Sequence, residues 1–285
     1  MALETRQRIE KPPSDVAGTT PVTKILVPVD LSLRSAGAAA YAASLAAGLG
    51  SELVFLHVLQ DGWPLEEEER EIRDRINRTA GEIRFLFREG SPASVILDTA
   101  EAERAGLILM PTRGRTAMAR FFDGSISAQV LRGAHCPVWV GLDDLAPLSS
   151  RPIRTILCGL SLGPRASTVL RWSATLASWF NASLSVIHAS KALASNPGLP
   201  CDREWRYWLK KIARDEIRDL QTGLGIDAEV WLESSKPLAA IPPLAENLRA
   251  DLLVIGKSPQ KLFLADLRTL SYEIACRTPC PVVSV

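Results

Sequence analysis

The sequence has no excess of either charge. Its 33 Lys and Arg stand against 32 Asp and Glu, a formal net charge of +1. A protein that grips nucleic acid needs a basic face or stripe, so nucleic acid is not an expected partner. No apolar run reaches the length of a membrane span. The opening stretch "MALETRQRIEKPPSDVAGTT" is charged and lacks the apolar core of a secretory signal. Residues 1–22 are therefore expected to be a disordered leader, the compartment the cytoplasm, and a membrane no partner.

Cysteine is sparse and irregularly placed. Cys136, Cys158, Cys201, Cys276 and Cys280 form an odd set without the spacing of a disulfide framework. Cys276 and Cys280 are four apart around Pro279 with no His nearby, and a zinc site would want two such pairs. No metal is expected, and the thiols read as buried and inert.

Catalytic signatures are missing too. There is no G-x-x-x-x-G-K-[ST] loop. "DLSLRS" after the first strand is not the glycine-rich loop of an ATP pyrophosphatase. His57, His135 and His188 lie in or beside apolar runs, and no Ser/His/Asp set is evident. The paired acids and strand-end lysine of a response-regulator receiver are absent as well. An enzyme is not expected; slow nucleotide hydrolysis stands as the alternative.

What is present is a duplication. A chain of 285 residues, 47% hydrophobic and 23% charged, can form two globular domains. "AGLILMPTRG" (Ala105 to Gly114) matches "ADLLVIGKSP" (Ala250 to Pro259), "HCPVWV" matches "PCPVVSV", and "KILVPVDLS" answers "TILCGLSLG". The matches keep their order, so the chain reads as two repeats, 23–143 and 154–285, joined by a Pro/Ser-rich linker at 144–153.

Within each repeat, short apolar runs alternate with helical segments. "KILVPV", "ELVFLHVL", "RFLFREG", "LILM" and "CPVWVG" read as strands. "SAGAAAYAASLAAGLG", an acidic segment capped by Asp61, "SPASVILDTAEAER" behind Ser91 and Pro92, and "SISAQVLRGA" read as helices. Strands apolar throughout and alternating with helices specify parallel sheets covered on both faces. Each half is expected to be a doubly wound α/β domain with a five-stranded parallel sheet. In such domains ligands sit at the carboxyl ends of the strands, where the strand order reverses. Asp30 and the loop after Met110 fall at such ends.

That loop is the most informative stretch: "MPTRGRTAMARFFDGSISAQVL", Met110 to Leu131. With "ILVPVDLS" and "LHVL" before it, it resembles the universal stress protein family. The resemblance covers nearly the whole chain as two tandem domains, and it implies an adenine nucleotide alpha hydrolase-like fold. The family's nucleotide motif is Gly, two residues, Gly, nine residues, Gly, then Ser or Thr. Here the positions are Pro111, Gly114, Gly124 and Ser125. Proline has no N–H and fixes φ, so the first corner departs from the motif. Gly124 and Ser125 open a helix whose free amides favour an anion.

The resemblance implies ATP or AMP, with Mg2+, in the first half alone, held by Val29, Asp30, Val58, Gly114, Arg115, Gly124, Ser125 and Ile126. Asp30 contacts the nucleoside end and Val58 the adenine through its backbone. Asp30 also reads as a loop or cap residue, and Val58 as core. In the second half Asp30 is matched by Ser161, and Pro111, Gly114, Gly124 and Ser125 by Gly256, Pro259, Thr269 and Leu270, so the motif is lost there.

The family also implies pairing of the final strands, "CPVWV" with "PVVSV", antiparallel within one chain as a pseudo-dimer, with a homodimer of chains as a further level. The function implied is stress response through nucleotide binding. The alternatives are a regulatory interaction module without nucleotide and a weak hydrolase. Trp205 and Trp208 in "REWRYWLKK" are expected to pack inward on an amphipathic helix.

Overall fold

The computed structural model describes residues 22–30, 33–59, 70, 84–110, 126–141, 152–193, 202–257 and 270–285, with backbone alone at 33–37 and 202–203. The expected acidic helix and its Asp61 cap lie outside these residues, apart from helical Arg70. In chain order the elements are β1 Lys24–Val29, α1 Leu33–Leu49, β2 Glu52–Leu59, β3 Arg84–Glu89, α2 Pro92–Ala102, β4 Leu107–Met110, α3 Ile126–Gly133 and β5 Val138–Val140. The second repeat supplies β6 Thr155–Gly159, α4 Ala166–Phe180, β7 Ser183–Ala189, α5 Asp202–Leu224, β8 Glu229–Glu233, α6 Pro237–Asn247, β9 Leu252–Ile255, α7 Leu270–Arg277 and β10 Val282–Ser284. Each repeat thus contributes the five strands its apolar runs specify.

Two compact units result. One comprises Ile153–Gly256; the other comprises Thr20–Pro152 together with Lys257–Val285. In the latter the strand order is β3-β2-β1-β4-β5-β10. β1 runs parallel to β2, from Lys24 beside Glu52 to Val29 beside His57. On its other side β1 runs parallel to β4, with Ile25 beside Leu107 and Leu26 beside Ile108. Strand order therefore reverses between β1 and β4. All four residues of β4 are buried, as are Ile25, Leu26, Val27 and Val54 to Leu56, the burial on both faces that a parallel sheet requires. Trp139 on β5 is fully buried and meets Tyr41 of α1 edge to face at 6.0 Å.

Helix α2 begins where the sequence puts its start, with Pro92 in the first turn and Ser91 at the N-cap. The Ser91 hydroxyl makes no capping bond, however. Its carbonyl receives the Val95 N–H at 2.9 Å, and Pro92 brings no N–H that needs a partner. Gly133, closing α3, is where that helix meets α2: a Cβ there would stand 2.6 Å from Leu97 Cδ1.

β5 and β10 pair antiparallel, Val140 with Val282, Trp139 with Val283, Val138 with Ser284. Two such apolar strands, each fully buried in this arrangement, would otherwise be exposed edges prone to aggregation. Lys257 fastens the same region. Its Nζ donates to the carbonyls of Ala134 at 2.6 Å and Cys136 at 2.7 Å, and its N–H donates to Val285 at 2.8 Å.

The unit Ile153–Gly256 holds four parallel strands in the order β9-β6-β7-β8. Asp251 accepts from the amides of Arg154 and Thr155 at 2.9 and 3.0 Å, fixing the start of β6. Of the cysteines, Cys158 is buried while Cys136, Cys276 and Cys280 are only partly so.

Candidate functional site

The parallel register sets the carboxyl ends of β1, β2 and β4 at one end of the sheet. Val29 is buried and pairs with His57; the next positions along the two strands are Asp30 and Val58. Asp30 is exposed and Val58 half-buried. Three of the expected site residues thus share the sheet end at the β1/β4 reversal, the location favoured by ligands of open α/β sheets. Ile126, a fourth, is the first residue of α3 and is 41% exposed. Gly114, Arg115, Gly124 and Ser125 lie outside the described residues, as does Pro111.

A residue not anticipated at this end is His57. Its ring Nδ1 lies 2.8 Å from the Val29 carbonyl oxygen in a buried position. A carbonyl only accepts, so Nδ1 carries the proton and donates. One side chain therefore ties the ends of the two strands that carry Asp30 and Val58. The second repeat does the same: His188 Nδ1 donates to the Leu160 carbonyl at 2.9 Å. The pairs are related by the same 131 positions that relate β1 to β6. That recurrence, "LHV" and "IHA" at one spacing, was the available sequence signal.

The structure also corrects the alignment of the repeats near the motif. β4 and β9 are related by 145 positions, but α3 and α7, both eight residues long, and β5 and β10 are related by 144. Ile126 therefore corresponds to Leu270, and the two are equally exposed at 41%. Ser125 then stands opposite Thr269 rather than Leu270, and Gly124 opposite Arg268. The second repeat keeps a hydroxyl at the helix start but replaces the motif glycine with a long cation, and Ser161 replaces Asp30.

The far end of the sheet carries a charge cluster instead. Glu103 accepts from Lys24 Nζ at 2.7 Å and from both terminal nitrogens of Arg84 at 2.8 and 2.9 Å. Hydrogen bonding from Lys24, then from Arg84, holds the Glu103 carboxyl below its ordinary range, and Glu103 in turn raises Lys24. These residues begin β1 and β3 and close α2, at the opposite end of the strands from Asp30.

The family model described as the universal stress protein family matches residues 21–71, 60–140 and 152–285. A universal stress protein of Methanocaldococcus jannaschii is 32% identical over 136 residues, 41% of this chain and 80% of that protein. Another, from Thermus aquaticus, is 34% identical over 129 residues, 40% of this chain and 94% of that protein. Among solved structures, a universal stress protein from Archaeoglobus fulgidus superposes with a TM-score of 0.66 at 21% identity, covering 93% of this chain and 98% of that one; this likeness concerns the fold. No described helix is long and apolar enough to cross a membrane. With the family's matches lying in both repeats, the chain belongs to the universal stress protein family as a tandem, two-repeat member.

Proposed function

We propose that the first repeat, residues 23–143, binds an adenine nucleotide, ATP or AMP with Mg2+, and that the second, residues 154–285, keeps the fold without one. The reading rests on one observation: Asp30 and Val58 stand at adjacent strand ends at the β1/β4 reversal, and β4 runs on in sequence into a loop with Gly114 and, ten residues on, Gly124-Ser125. The amides of Gly114, Arg115, Ser125 and Ile126 are the phosphate donors in this reading, with the Ser125 hydroxyl beside them. Asp30 and Val58 take the nucleoside end, next to Val29. The role is stress response through binding rather than turnover, in the cytoplasm. The β5–β10 ladder would hold the two repeats as an internal pseudo-dimer, and pairing of two chains would be a further level.

Pro111 favours a second reading, a regulatory interaction module with no nucleotide, because the first motif position offers no N–H. A charge-assisted hydrogen bond is worth about 1.5–3 kcal/mol, so its loss weakens affinity roughly tenfold or more. Calorimetry with ATP and with AMP, each with and without Mg2+, decides between the two. Pro111→Gly should tighten binding, Gly124→Val abolish it and Ser125→Ala weaken it, while Thr269→Ala and Leu270→Ser leave it unchanged. If neither the natural protein nor Pro111→Gly binds ATP, the module reading takes its place.

A further inference from the structure

Burial in the second repeat departs from what the sequence suggests at two places. On α5 the inner stripe is Ala213, Ile217 and Gln221, while Trp205 and Trp208 are 57% and 55% exposed. The expectation that these two tryptophans pack inward is thereby overturned: helical periodicity identifies apolar stripes but not which one faces the sheet. The other place is Lys257. It is a long cation in the segment where the nucleotide motif has lapsed, and it is half-buried.

Lys257 stands two residues beyond the end of β9, as Thr112 stands two beyond the end of β4. Across the same 145 positions Gly256 corresponds to Pro111. The segment that would begin a phosphate loop in the second repeat turns its cation to the first repeat instead. Lys257 Nζ donates to the carbonyls of Ala134 at 2.6 Å and Cys136 at 2.7 Å, just past Gly133, the last residue of α3. Its own N–H donates to the Val285 carbonyl at 2.8 Å, so the backbone that carries the cation is fixed as well. Lys257, α3 and β10 belong to one compact unit. Threonine at position 112 supplies no cation, so the arrangement is one-sided.

Helix α3 has eight residues, a length of about 12 Å. So short a helix depends on its packing for both shape and place. That packing is uneven. Ala128, Val130 and Leu131 are buried, whereas Ile126 at the start is 41% exposed. The tail is where the helix is gripped: Gly133 abuts Leu97 of α2, and Lys257 holds the two carbonyls beyond it. A cation at this end also faces the negative pole of the helix dipole, and hydrogen bonds from an ammonium are stronger than neutral ones. Two helical turns move as one body, so fixing the tail sets the aim of the amides at the start.

We propose that Lys257 is a positioning residue for the anion site at the start of α3: the lapsed motif segment of the second repeat holds the tail of that helix and thereby aims its first amides. This rests on the reading of α3 as the phosphate end of the nucleotide site.

Amide hydrogen exchange and calorimetry on the full chain test it. In Lys257→Met the amides of Gln129, Val130 and Leu131 should exchange at least tenfold faster than in the natural protein. ATP with Mg2+ should bind at least tenfold more weakly, in the natural background and in Pro111→Gly. Glu103→Gln, a change at the far end of the sheet, controls for a general loss of stability and should alter neither measurement. Lys257→Arg keeps the charge and the donors, and should restore both to within threefold of the natural protein. Where Lys257→Met does not fold, Lys257→Gln is read in its place. The proposal is overturned if the folded neutral variant exchanges at α3 as slowly as the natural protein, if it binds ATP equally well, or if Lys257→Arg is as impaired as the neutral variant. If neither the natural protein nor Pro111→Gly binds ATP, the nucleotide reading fails separately, and exchange at α3 alone decides whether Lys257 holds the helix.

Discussion

His57 donates from Nδ1 to the carbonyl of Val29, and this one bond joins the end of β2 to the end of β1. Its repeat in His188 and Leu160 occurs beside Ser161, where the acid of the first repeat is gone. A bond retained where Ser161 replaces Asp30 belongs first to the fold, and it holds together the strand ends that carry Asp30 and Val58. Losing a buried hydrogen bond costs about 1–3 kcal/mol. His57→Leu and His188→Leu should each lower the melting temperature by several degrees. On the nucleotide reading proposed above, only His57→Leu should also weaken ATP binding at a temperature where both variants are folded. Equal affinities in the two variants would remove His57 from any role at the site.

The fold was legible because fully buried strands read as unbroken apolar runs; "LILM" and "LLVI" are both four-residue strands with every side chain inside. Asp30 was legible as the residue that closes the run "KILVPV", whereas Val58, inside "ELVFLHVL", was marked out by the family resemblance alone. Two features were not. The His57 bond depends on a partner 28 residues away that contributes only a carbonyl, so the recurrence of His57 and His188 marks the position without revealing the partner. The shift from 145 to 144 between repeats falls inside the loop after β4 and β9, where little sequence is shared, so only the starts of α3 and α7 fix it.

The Glu103 cluster predicts a pH dependence. Its carboxyl is held below the ordinary range by Lys24 first and Arg84 second. A depressed carboxylate contributes stability that is complete above its unfolded pKa, about 4.3, and is lost as pH falls through the folded value. Lys24, raised by the same contact, contributes below its unfolded pKa and loses that contribution only in strong alkali. Glu103→Gln should therefore melt a few degrees below the natural protein throughout pH 6–8. The gap should close as pH falls below about 4. A gap that persists at pH 3 would mean that packing, not charge, sets the difference.

Among the cysteines at described positions, Cys158 should be the slowest to react. It is fully buried, and desolvation pushes its pKa up to about 12 against a smaller opposing effect of the Ser173 hydroxyl. Thiolate is the reactive form, so at pH 8 alkylation of Cys158 should wait for unfolding. Cys136 is also raised, by burial first, although Lys257 opposes the shift, and it is only partly buried. Mass-spectrometric mapping after a timed iodoacetamide pulse should find Cys136 labelled well before Cys158. Labelling of Cys158 at the rate of Cys136 in the folded protein would contradict its burial.

Ser284 gives a prediction of opposite sign. It lies in β10 opposite Val138, is 0% exposed, and its hydroxyl has no hydrogen-bond partner among the described residues. A buried hydroxyl without a partner costs about 1–3 kcal/mol in desolvation. Its counterpart across the 144-residue relation is Val140, an apolar residue in the same three-residue strand position. Ser284→Ala removes the hydroxyl and keeps the backbone bonds of the ladder, so it should raise the melting temperature by about 2–4 °C. Ser284→Asp, which buries a charge at the same point, should lower it sharply and expose the β5 edge to aggregation. Differential scanning calorimetry reads both, and an alanine variant less stable than the natural protein would show that the hydroxyl has a bonding partner after all.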